Sequence, residues 1–345
     1  MAGSEDSGRS IRRRNALIIA AAVVSLFGLL IGGLWLDYRT TIDSPLANTE
    51  SAYVEVGNGE GLGQIAHDLA EQGLLSRPLW FRALAYAMGV QTQLKYGEYE
   101  IPPGTTPRTL LDKMAAGKVR QFPVTVVEGW TFADMRAALA RNSALKQEAT
   151  DKTPAEIMAA LGAEGQAPEG RFFPDTYFVT RGTSDLEVLK RAYAKMQTVL
   201  EQEWQNRSQP LPFGTPYEAL ILASIVEKET ARPEERPAIA GVFVRRLDKS
   251  MRLQTDPTVI YGMGAAYAGN LRKDDLRRDT PFNTYTRAGL PPTPIALPGQ
   301  EAIHAALHPE AGASLYFVAK GDGTHVFTST LNEHEQAVSR FQKRH

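Results

Sequence analysis

The sequence predicts an α+β protein with an N-terminal transmembrane helix, a small β-α module and a larger domain of mixed strands and helices. Three observations predict this class: one long uncharged apolar run, a strand-turn-helix pattern that recurs, and alternating helix-like and strand-like segments in the second half. With 345 residues, the chain is long enough for one large or two medium domains.

The composition excludes several classes of function. The chain has no cysteine, which excludes disulfide bonds and thiol catalysis. Its formal net charge is −1, so no strong overall field attracts nucleic acid. The Gly-rich stretch "GNGEGLG" departs from G-x-G-x-x-G, and no P-loop Lys-Ser/Thr pair follows it. We therefore expect no nucleic-acid partner and no cofactor.

The first long element is the apolar run "NALIIAAAVVSLFGLLIGGLWL", residues 15–36. A run of about twenty apolar residues is long enough to cross a bilayer as a helix. Trp35 and Tyr38 stand at its end, where aromatic residues are enriched at the membrane interface. An arginine cluster precedes the run, which predicts that residues 1–14 are a cytoplasmic tail. Residues 37–50 are interpreted as a polar linker outside the inner membrane. The alternative is a cleaved signal peptide, but the run is long for one and no clear A-x-A site follows.

Three later segments share a strand, a glycine turn and a helix: "YVEVGNGEGLGQIAHDLAEQG", "YEIPPGTTPRTLLDKMAAG" and "VTVVEGWTFADMRAALARN". Each helix carries an apolar i, i+4 pair on one face. The pairs are Ile65 with Leu69, Leu110 with Met114, and Met135 with Leu139. Gly73, Gly117 and Asn142 stand where a left-handed C-cap is expected. The three units are predicted to pack on a shared sheet.

The segment "RPLWFRALAYAMGV" predicts an additional amphipathic helix between the first two units. Those two units and this helix form a predicted module of residues 51–121, and the third unit leads into a domain of residues 122–345. Strands are expected in that domain at "QFPVTVVEG", "DTYFV" and "SLYFVA". Helices are expected at residues 184–205, 217–230, 233–248 and 332–343.

The helix predicted at residues 217–230 ends on two glutamates in an otherwise apolar segment, "SIVEKET". On a helical wheel turning about 100° per residue, Glu229 falls within roughly 60° of Leu222, whereas Glu227 falls roughly 140° away. Burial raises the pKa of a carboxyl group, and a general acid must be protonated near neutral pH. Glu229 on the apolar face is therefore a candidate general acid, with a simple helix end as the alternative. Glu227 is predicted to be solvated or salt-bridged.

Further candidate residues stand in polar segments. "MRLQTDPTVIYGMG" and "TPFNTYTRAGLPPTPIALPG" are interpreted as loops whose amide, hydroxyl and aromatic groups suit a sugar, although ordinary polar loops are the alternative. "EGRFFPDTYFV" adds Glu169, Asp175 and Tyr177. His304 and His308 have the i, i+4 spacing of metal ligands, but neither a zincin glutamate nor a third ligand is evident. We interpret both histidines as structural and expect no metal.

At these residues the chain resembles the MltG (YceG-like) endolytic murein transglycosylases, over nearly everything after residue 50. The signatures are "EGRFFPDTY", "ASIVEKET", "RLQTDPTVIYGMG", "NTY" with "GLPP", and "HPE" followed by "LYFVA". The resemblance implies that residues 51–121 are a LysM-like module and that residues 122–345 are the catalytic domain. It also implies that Glu229, the second glutamate of "EKET", is the catalytic acid.

The chemistry implied by the resemblance is cleavage of the β-1,4 bond between N-acetylmuramic acid and N-acetylglucosamine in peptidoglycan. Glu229 would protonate the glycosidic oxygen and then take the proton of the C6 hydroxyl group, which closes on C1 to give a 1,6-anhydro end. A second carboxylate, required in most glycosidases, would not be needed. The expected substrate-binding residues are Gln254, Asp256, Asn283, Tyr285 and Glu169. Glycan chain termination beside membrane-bound peptidoglycan synthases is the role expected by analogy.

Two other functions stay open at this point. A hydrolytic muramidase would use a positioned water, with Asp256 as a second carboxylate, and would give reducing ends. A non-catalytic, membrane-tethered wall-binding scaffold would not need Glu229.

Overall fold

The computed structural model describes residues 5–341, and for residues 5–13 the backbone only. Residues 1–4, at the start of the expected tail, and the end of the helix expected at 332–343 lie outside the described residues. The chain forms two compact units, Met1–Gln121 and Phe122–His345. The first unit begins with helix α1, Glu5–Asp43. Its segment Arg14–Asp43 is long and apolar enough to cross a membrane.

The first unit continues with β1 (Ala52–Val56), α2 (Leu62–Glu71), α3 (Pro78–Met88), β2 (Gly97–Ile101) and α4 (Pro107–Ala115). β1 and β2 pair antiparallel, from Ala52 opposite Ile101 to Val56 opposite Gly97. The predicted apolar pairs of α2 and α4 are buried under this sheet. Gly73 and Gly117 end the two helices with positive φ angles of 72° and 65°, which confirms the predicted caps.

The expected linker is wrong in part, because α1 continues through residues 37–43. Ile42 and Leu46, 1% and 6% exposed, belong to the apolar core of the first unit. Trp80 Nε1 donates a hydrogen bond to Asp37 Oδ2 at 2.8 Å, and Arg77 lies 3.3 Å from the same carboxylate. The segment is structured because its apolar residues complete the core formed by β1, β2 and the helices α2, α3 and α4.

Between residues 122 and 341, the described part of the second unit, the chain forms fifteen helices and strands besides two short 3-10 turns. They are β3 (Phe122–Thr125), α5 (Phe132–Ala140), β4 (Leu145–Lys146), α6 (Pro154–Ala160), β5 (Thr176–Val179), β6 (Thr183–Ser184), α7 (Asp185–Gln205), α8 (Pro216–Glu229), α9 (Arg236–Asp248), α10 (Asp256–Met263), α11 (Lys273–Arg277), α12 (Gln300–Leu307), β7 (Tyr316–Ala319), β8 (His325–Thr328) and α13 (Leu331–Phe341). β3 pairs antiparallel with β5, β4 parallel with β6, and β7 antiparallel with β8.

The third predicted β-α unit does not share a sheet with the other two. Its strand β3 pairs with β5, and its apolar residues enter a separate core that contains Val124, Met135 and Phe172. Asn142 is also not a left-handed cap, since the described non-glycine residues with positive φ are Ser250 and Gln254. Asn142 instead accepts a hydrogen bond from the backbone of Ala144 at 3.0 Å, which turns the chain locally.

Helix α8 is the central helix of the second unit and packs against α7, α9 and α12. It begins with a capping box, in which Thr215 and Glu218 each bond the other's backbone N–H group. Every residue from Ala219 to Val226 is buried. The helix stops at Glu229 because Thr230 is extended, with φ −144° and ψ 138°. The central core therefore presents the last turn of α8 at its edge.

Residues 256–263, interpreted from sequence as part of a loop, form helix α10 instead. Pro257 stands in its first turn, where a missing N–H group costs nothing, and Gly264 ends it. The helix is short enough that its pattern was hidden among the surrounding Pro and Gly residues. It positions Asp256 at the N-terminus of a helix rather than on a mobile loop.

Candidate active site

A cleft of about 510 Å³ opens in the second unit at the C-terminal end of α8. Glu229 lies in it together with side chains from the segment before α10, from the loop carrying Tyr285, from the β7–β8 hairpin and from α13. The lining is mixed: carboxyl, amide, imidazole and guanidinium groups alternate with tyrosine and aliphatic side chains. Such a surface suits a ligand with many hydroxyl groups and apolar C–H faces.

The surroundings of Glu229 leave its carboxyl group close to half protonated near neutral pH. Burial is the largest effect and raises the pKa of Glu229 to about 7. A hydrogen bond from Thr255 Oγ1 to Glu229 Oε1 lowers the pKa, the charge of Asp256 raises it, and His325 and Arg246 lower it. A carboxyl group with a pKa in this range can donate a proton at neutral pH and accept one afterwards.

Glu227, two residues earlier, has a different environment. Its side chain is 6% exposed and lies 3.4 Å from Arg236 Nη2, while its Oε2 accepts a hydrogen bond from Gly299 N at 3.0 Å. Glu227 is therefore salt-bridged, one of the two predicted states, and is not solvated. Because α8 is buried on all sides, the helical wheel does not by itself separate the two glutamates. What separates them is that Glu229 reaches the cleft.

Three of the predicted substrate-binding residues line the cleft with Glu229: Gln254, Asp256 and Tyr285. Tyr285 OH donates to Asp256 Oδ1 at 2.6 Å. Gln254 has a left-handed backbone, with φ 53°, and its side-chain oxygen accepts from Arg246 Nη1 at 3.4 Å. Their role in binding substrate stays a prediction.

Arg246, a buried residue of α9, organises this wall of the cleft. Its Nη1 donates to the carbonyl group of Leu253 at 2.7 Å, and its Nε donates to the carbonyl group of Leu315 at 2.7 Å. One guanidinium group thus connects the strand-like segment before α10 to the start of the β7–β8 hairpin. The positive-φ backbone at Gln254 is held in place by these contacts.

The other two predicted residues do not line the cleft. Asn283 is fully buried and donates from Nδ2 to three backbone carbonyl groups between residues 275 and 278, while its Oδ1 accepts from Tyr285 N at 2.8 Å. It therefore shapes the loop that presents Tyr285. Glu169 accepts from Phe132 N at 2.9 Å and from Tyr261 OH at 3.0 Å, and burial raises its pKa to about 7. It joins α5 to α10.

Asp175 and Tyr177, also singled out from the sequence, lie outside the cleft. Asp175 forms an ion pair with Lys195, and Tyr177 OH donates to the carbonyl group of Phe173 at 2.6 Å. The first contact holds the β5 segment against α7, and the second holds it against the residues just before β5.

Sequence reasoning missed several residues that the tertiary structure brings to Glu229: Thr255, Arg246, His325, Tyr316 and His334. Thr255 could have been found, because it stands inside a quoted signature directly before Asp256. His325 lies beyond the "LYFVA" signature, and no local pattern distinguishes it from the other histidines. Only the β7–β8 pairing, with His325 opposite Ala319, brings it to the cleft.

The two histidines of α12 have a third neighbour that the sequence did not reveal. Among the described residues, Glu203 of α7, His304 and His308 offer ligand atoms that all lie within 4.8 Å of one another. This corrects the expectation that no third ligand stands nearby, and the donor set is one that zinc accepts. Each group already has a partner: His304 Nδ1 lies 2.9 Å from Glu203 Oε2, and His308 Nε2 lies 2.8 Å from the carbonyl oxygen of Asn206. The cluster is separate from the residues that line the cleft.

A partly buried carboxyl group with a pKa near 7, in an open polar and aromatic cleft, has the properties that acid–base catalysis requires. The profile of the YceG-like family matches residues 54–340, and the chain belongs to this family.

Relatives and one solved structure agree with this assignment. The chain is 30% identical over 335 residues to a Bacillus subtilis protein named endolytic murein transglycosylase, covering 91% of each chain. It is 28% identical over 362 residues to a Streptococcus pneumoniae protein of the same name, covering 93% of this chain and 65% of that protein. A crystal structure of a YceG-like protein from Listeria monocytogenes is similar with a TM-score of 0.53 and 27% identity, over 84% of this chain and 99% of that one.

Proposed function

We propose that this protein is a membrane-anchored endolytic murein transglycosylase that cleaves the β-1,4 bond between N-acetylmuramic acid and N-acetylglucosamine inside peptidoglycan strands. The observation that carries this proposal is the carboxyl group of Glu229, partly buried and with a raised pKa, in the wall of a polar cleft. A Bacillus subtilis relative of nearly the same length bears the corresponding name. No cofactor enters the proposed chemistry.

Glu229 is the general acid of the proposed reaction. In its protonated form it donates to the glycosidic oxygen as the bond from that oxygen to C1 of the muramyl residue breaks. The C6 hydroxyl oxygen of the same residue then bonds to C1 and closes the 1,6-anhydro ring. The proton of that hydroxyl group ends on the Glu229 carboxylate, which restores the acid for the next cycle, and no water is consumed. A pKa near 7 suits both halves, because neither protonation state is strongly disfavoured at neutral pH.

The cleft residues are suited to a sugar chain. The ring of Tyr285 offers an apolar surface to sugar C–H groups, and the side chains of Gln254 and Asp256 offer hydrogen-bond partners to hydroxyl and acetamido groups. Asn283 supports the loop that carries Tyr285, and Glu169 supports α10, so these two act at a distance from substrate.

The N-terminal helix gives the proposed enzyme its location. One apolar helix, residues 14–43, is compatible with a single-pass anchor. The arginine cluster before it supports a cytoplasmic N-terminus and a catalytic domain on the periplasmic side of the inner membrane. Residues 51–121 form the proposed LysM-like module. Cutting nascent strands close to the membrane would terminate their elongation by peptidoglycan synthases in the same membrane.

The test is a product analysis with the full chain in detergent micelles. Purified sacculi or nascent glycan would be incubated with wild type, with Glu229→Gln and with the matched control Glu227→Gln, and the released fragments weighed by mass spectrometry. We expect anhydro-ended fragments from wild type and from Glu227→Gln, and none from Glu229→Gln. Reducing-ended fragments, heavier by one water, would instead identify a hydrolytic muramidase. Equal behaviour of wild type and Glu229→Gln would favour a wall-binding scaffold.

A further inference from the structure

His325, the first residue of β8, is held against the cleft by Glu235. Its Nδ1 lies 2.7 Å from Glu235 Oε2, and its backbone N–H group donates to Glu235 Oε1 at 2.8 Å. The two side chains are only 11% and 13% exposed. The ring also contacts Phe317 edge-on, with ring centroids 5.4 Å apart. The imidazole is therefore fixed in both position and orientation.

The charge of Glu235 determines which imidazole nitrogen carries the proton. Burial raises the pKa of Glu235, but the hydrogen bonds and charge of His325 outweigh burial, so the pKa of Glu235 is lowered overall. An ionised carboxylate can only accept, so Nδ1 of His325 must donate, and Nε2 of the neutral ring keeps a lone pair. Because Nδ1 is turned toward Glu235, Nε2 is the nitrogen left for the cleft that His325 lines with Glu229.

The chain that follows Glu229 builds this arrangement. Residues 230–235 return from the end of α8, and Arg232 Nε donates to the carbonyl group of Gly323 at 2.9 Å, which ties this segment to the β7–β8 turn. Two glutamates of one short stretch of chain therefore contribute to the cleft. Glu229 lines it directly, and Glu235 orients His325, which lines it. When His325 carries a proton on both nitrogens, its charge lowers the pKa of Glu229, so the two groups are electrostatically coupled.

We propose that His325 is a second catalytic residue of this enzyme, the base whose Nε2 takes the proton of the muramyl C6 hydroxyl group. This inference rests on the proposed transglycosylase reaction and adds a residue to it. A histidine oriented through Nδ1 by a carboxylate, with Nε2 toward the reacting hydroxyl group, is the arrangement that activates hydroxyl nucleophiles in other enzymes. Here the hydroxyl group belongs to the substrate.

The proton balance closes without another reactant. Glu229 gives its proton to the leaving glycosidic oxygen as that oxygen separates from C1. The O6–C1 bond forms and the O6–H bond breaks, with the proton passing to His325 Nε2. The imidazolium, stabilised by Glu235, and the Glu229 carboxylate are then an opposite-charge pair in one cleft. Transfer of the proton from Nε2 to the carboxylate restores both residues for the next cycle.

The test compares product type as well as rate, using the full chain with sacculi. For His325→Gln we expect kcat to fall about 10²–10⁴-fold, the usual contribution of a positioned general base. We also expect the ratio of anhydro-ended to reducing-ended fragments to fall, because water then competes better with a C6 hydroxyl group that no base activates. Glu235→Gln should move the ratio in the same direction but less, since the amide oxygen still accepts from Nδ1. His304→Gln, an exposed histidine outside the cleft, should leave the ratio unchanged.

The product ratio is counted among fragments actually released, so partial unfolding of a variant does not change it. A His325→Gln protein that keeps the wild-type ratio and loses less than tenfold in kcat would overturn the role of His325. A loss of kcat with an unchanged ratio would also overturn it, because that pattern indicates a structural role. Either result would leave the proposed function standing if wild type gives anhydro ends and Glu229→Gln does not.

Discussion

The carboxylates of Glu227 and Glu229 leave the last turn of α8 toward different neighbours. Glu227 lies 3.4 Å from the buried guanidinium of Arg236, whereas Glu229 accepts from the hydroxyl group of Thr255 inside the cleft. Burial raises the pKa of both, and the pKa of Glu229, which lines the solvent-accessible cleft, reaches about 7. One carboxylate thus serves the packing of the helix end, and the other is available for proton transfer.

Substituting the two glutamates should therefore affect different quantities. Glu229→Gln should lower kcat by about 10²–10⁴-fold with little change in the unfolding temperature, because it removes the proton donor and keeps the shape. Glu227→Gln should keep kcat within a few-fold but lower the free energy of unfolding by about 1–3 kcal/mol, because Arg236 loses a buried charged partner and keeps Glu301. Rate measurements and urea unfolding of both variants check this. A stable but inactive Glu227→Gln protein would contradict it.

The activity should depend on pH through Glu229. An acid with a pKa of about 7 is protonated below that pH, so kcat/KM should fall about tenfold per pH unit above 7. Asp256→Asn removes a charge that raises the pKa of Glu229, and should move this fall to lower pH. Thr255→Val removes a hydrogen bond that lowers the pKa, and should move it to higher pH.

The measurement is the pH profile of kcat/KM for wild type and the two variants. Because the predicted shifts have opposite signs, a general loss of activity cannot imitate them. Shifts in the same direction, or an alkaline limb that does not move, would exclude Glu229 as the group that titrates.

Glu169 should make folding stability fall as pH rises. Its pKa is raised from 4.5 to about 7, so its contribution to stability is fully present below pH 4.5 and is lost as pH rises through 7. The shift corresponds to roughly 3 kcal/mol. The comparison is made in a Glu229→Gln background, because the raised pKa of Glu229 also makes stability fall with pH. In this background, Glu169→Gln should make the free energy of unfolding fall less steeply between pH 4.5 and 7. Urea unfolding at several pH values measures it, and an unchanged slope would count against this role of Glu169.

The end of the membrane helix should contribute to the stability of the first unit. Ile42 is 1% exposed in that core, so Ile42→Ala should lower the free energy of unfolding of this unit by about 2–5 kcal/mol. Leu79→Ala, at a residue 72% exposed in the same unit, should change it by about 0.5 kcal/mol or less. Hydrogen exchange of the full chain in micelles, followed in β1 and β2, reports the difference. Equal protection in the two variants would mean that residues 37–46 act as a linker after all.

Much of the architecture could be predicted from local patterns. The apolar pairs of α2 and α4, the glycine caps at Gly73 and Gly117, and the extents of α7, α8 and α9 depend on side-chain periodicity and on residues a few positions apart. The expectation for Asn142 failed because a side-chain hydrogen bond to Ala144 offered the backbone a different turn. The short helix α10 was missed because eight residues between Pro and Gly carry too little periodicity.

The sequence by itself determined the apolar N-terminal helix, the family and the choice of Glu229 as the residue to test, since these depend on composition, order and local spacing. Only the tertiary structure decided that Ile42 belongs to a core, that Asn283 supports Tyr285 without reaching the cleft, and that His325, paired with Glu235, lines the cleft with Glu229. The physical reason is distance along the chain. His325 and Glu235 are separated by 90 positions, and no local pattern encodes a contact that depends on how α8 and the β7–β8 hairpin pack.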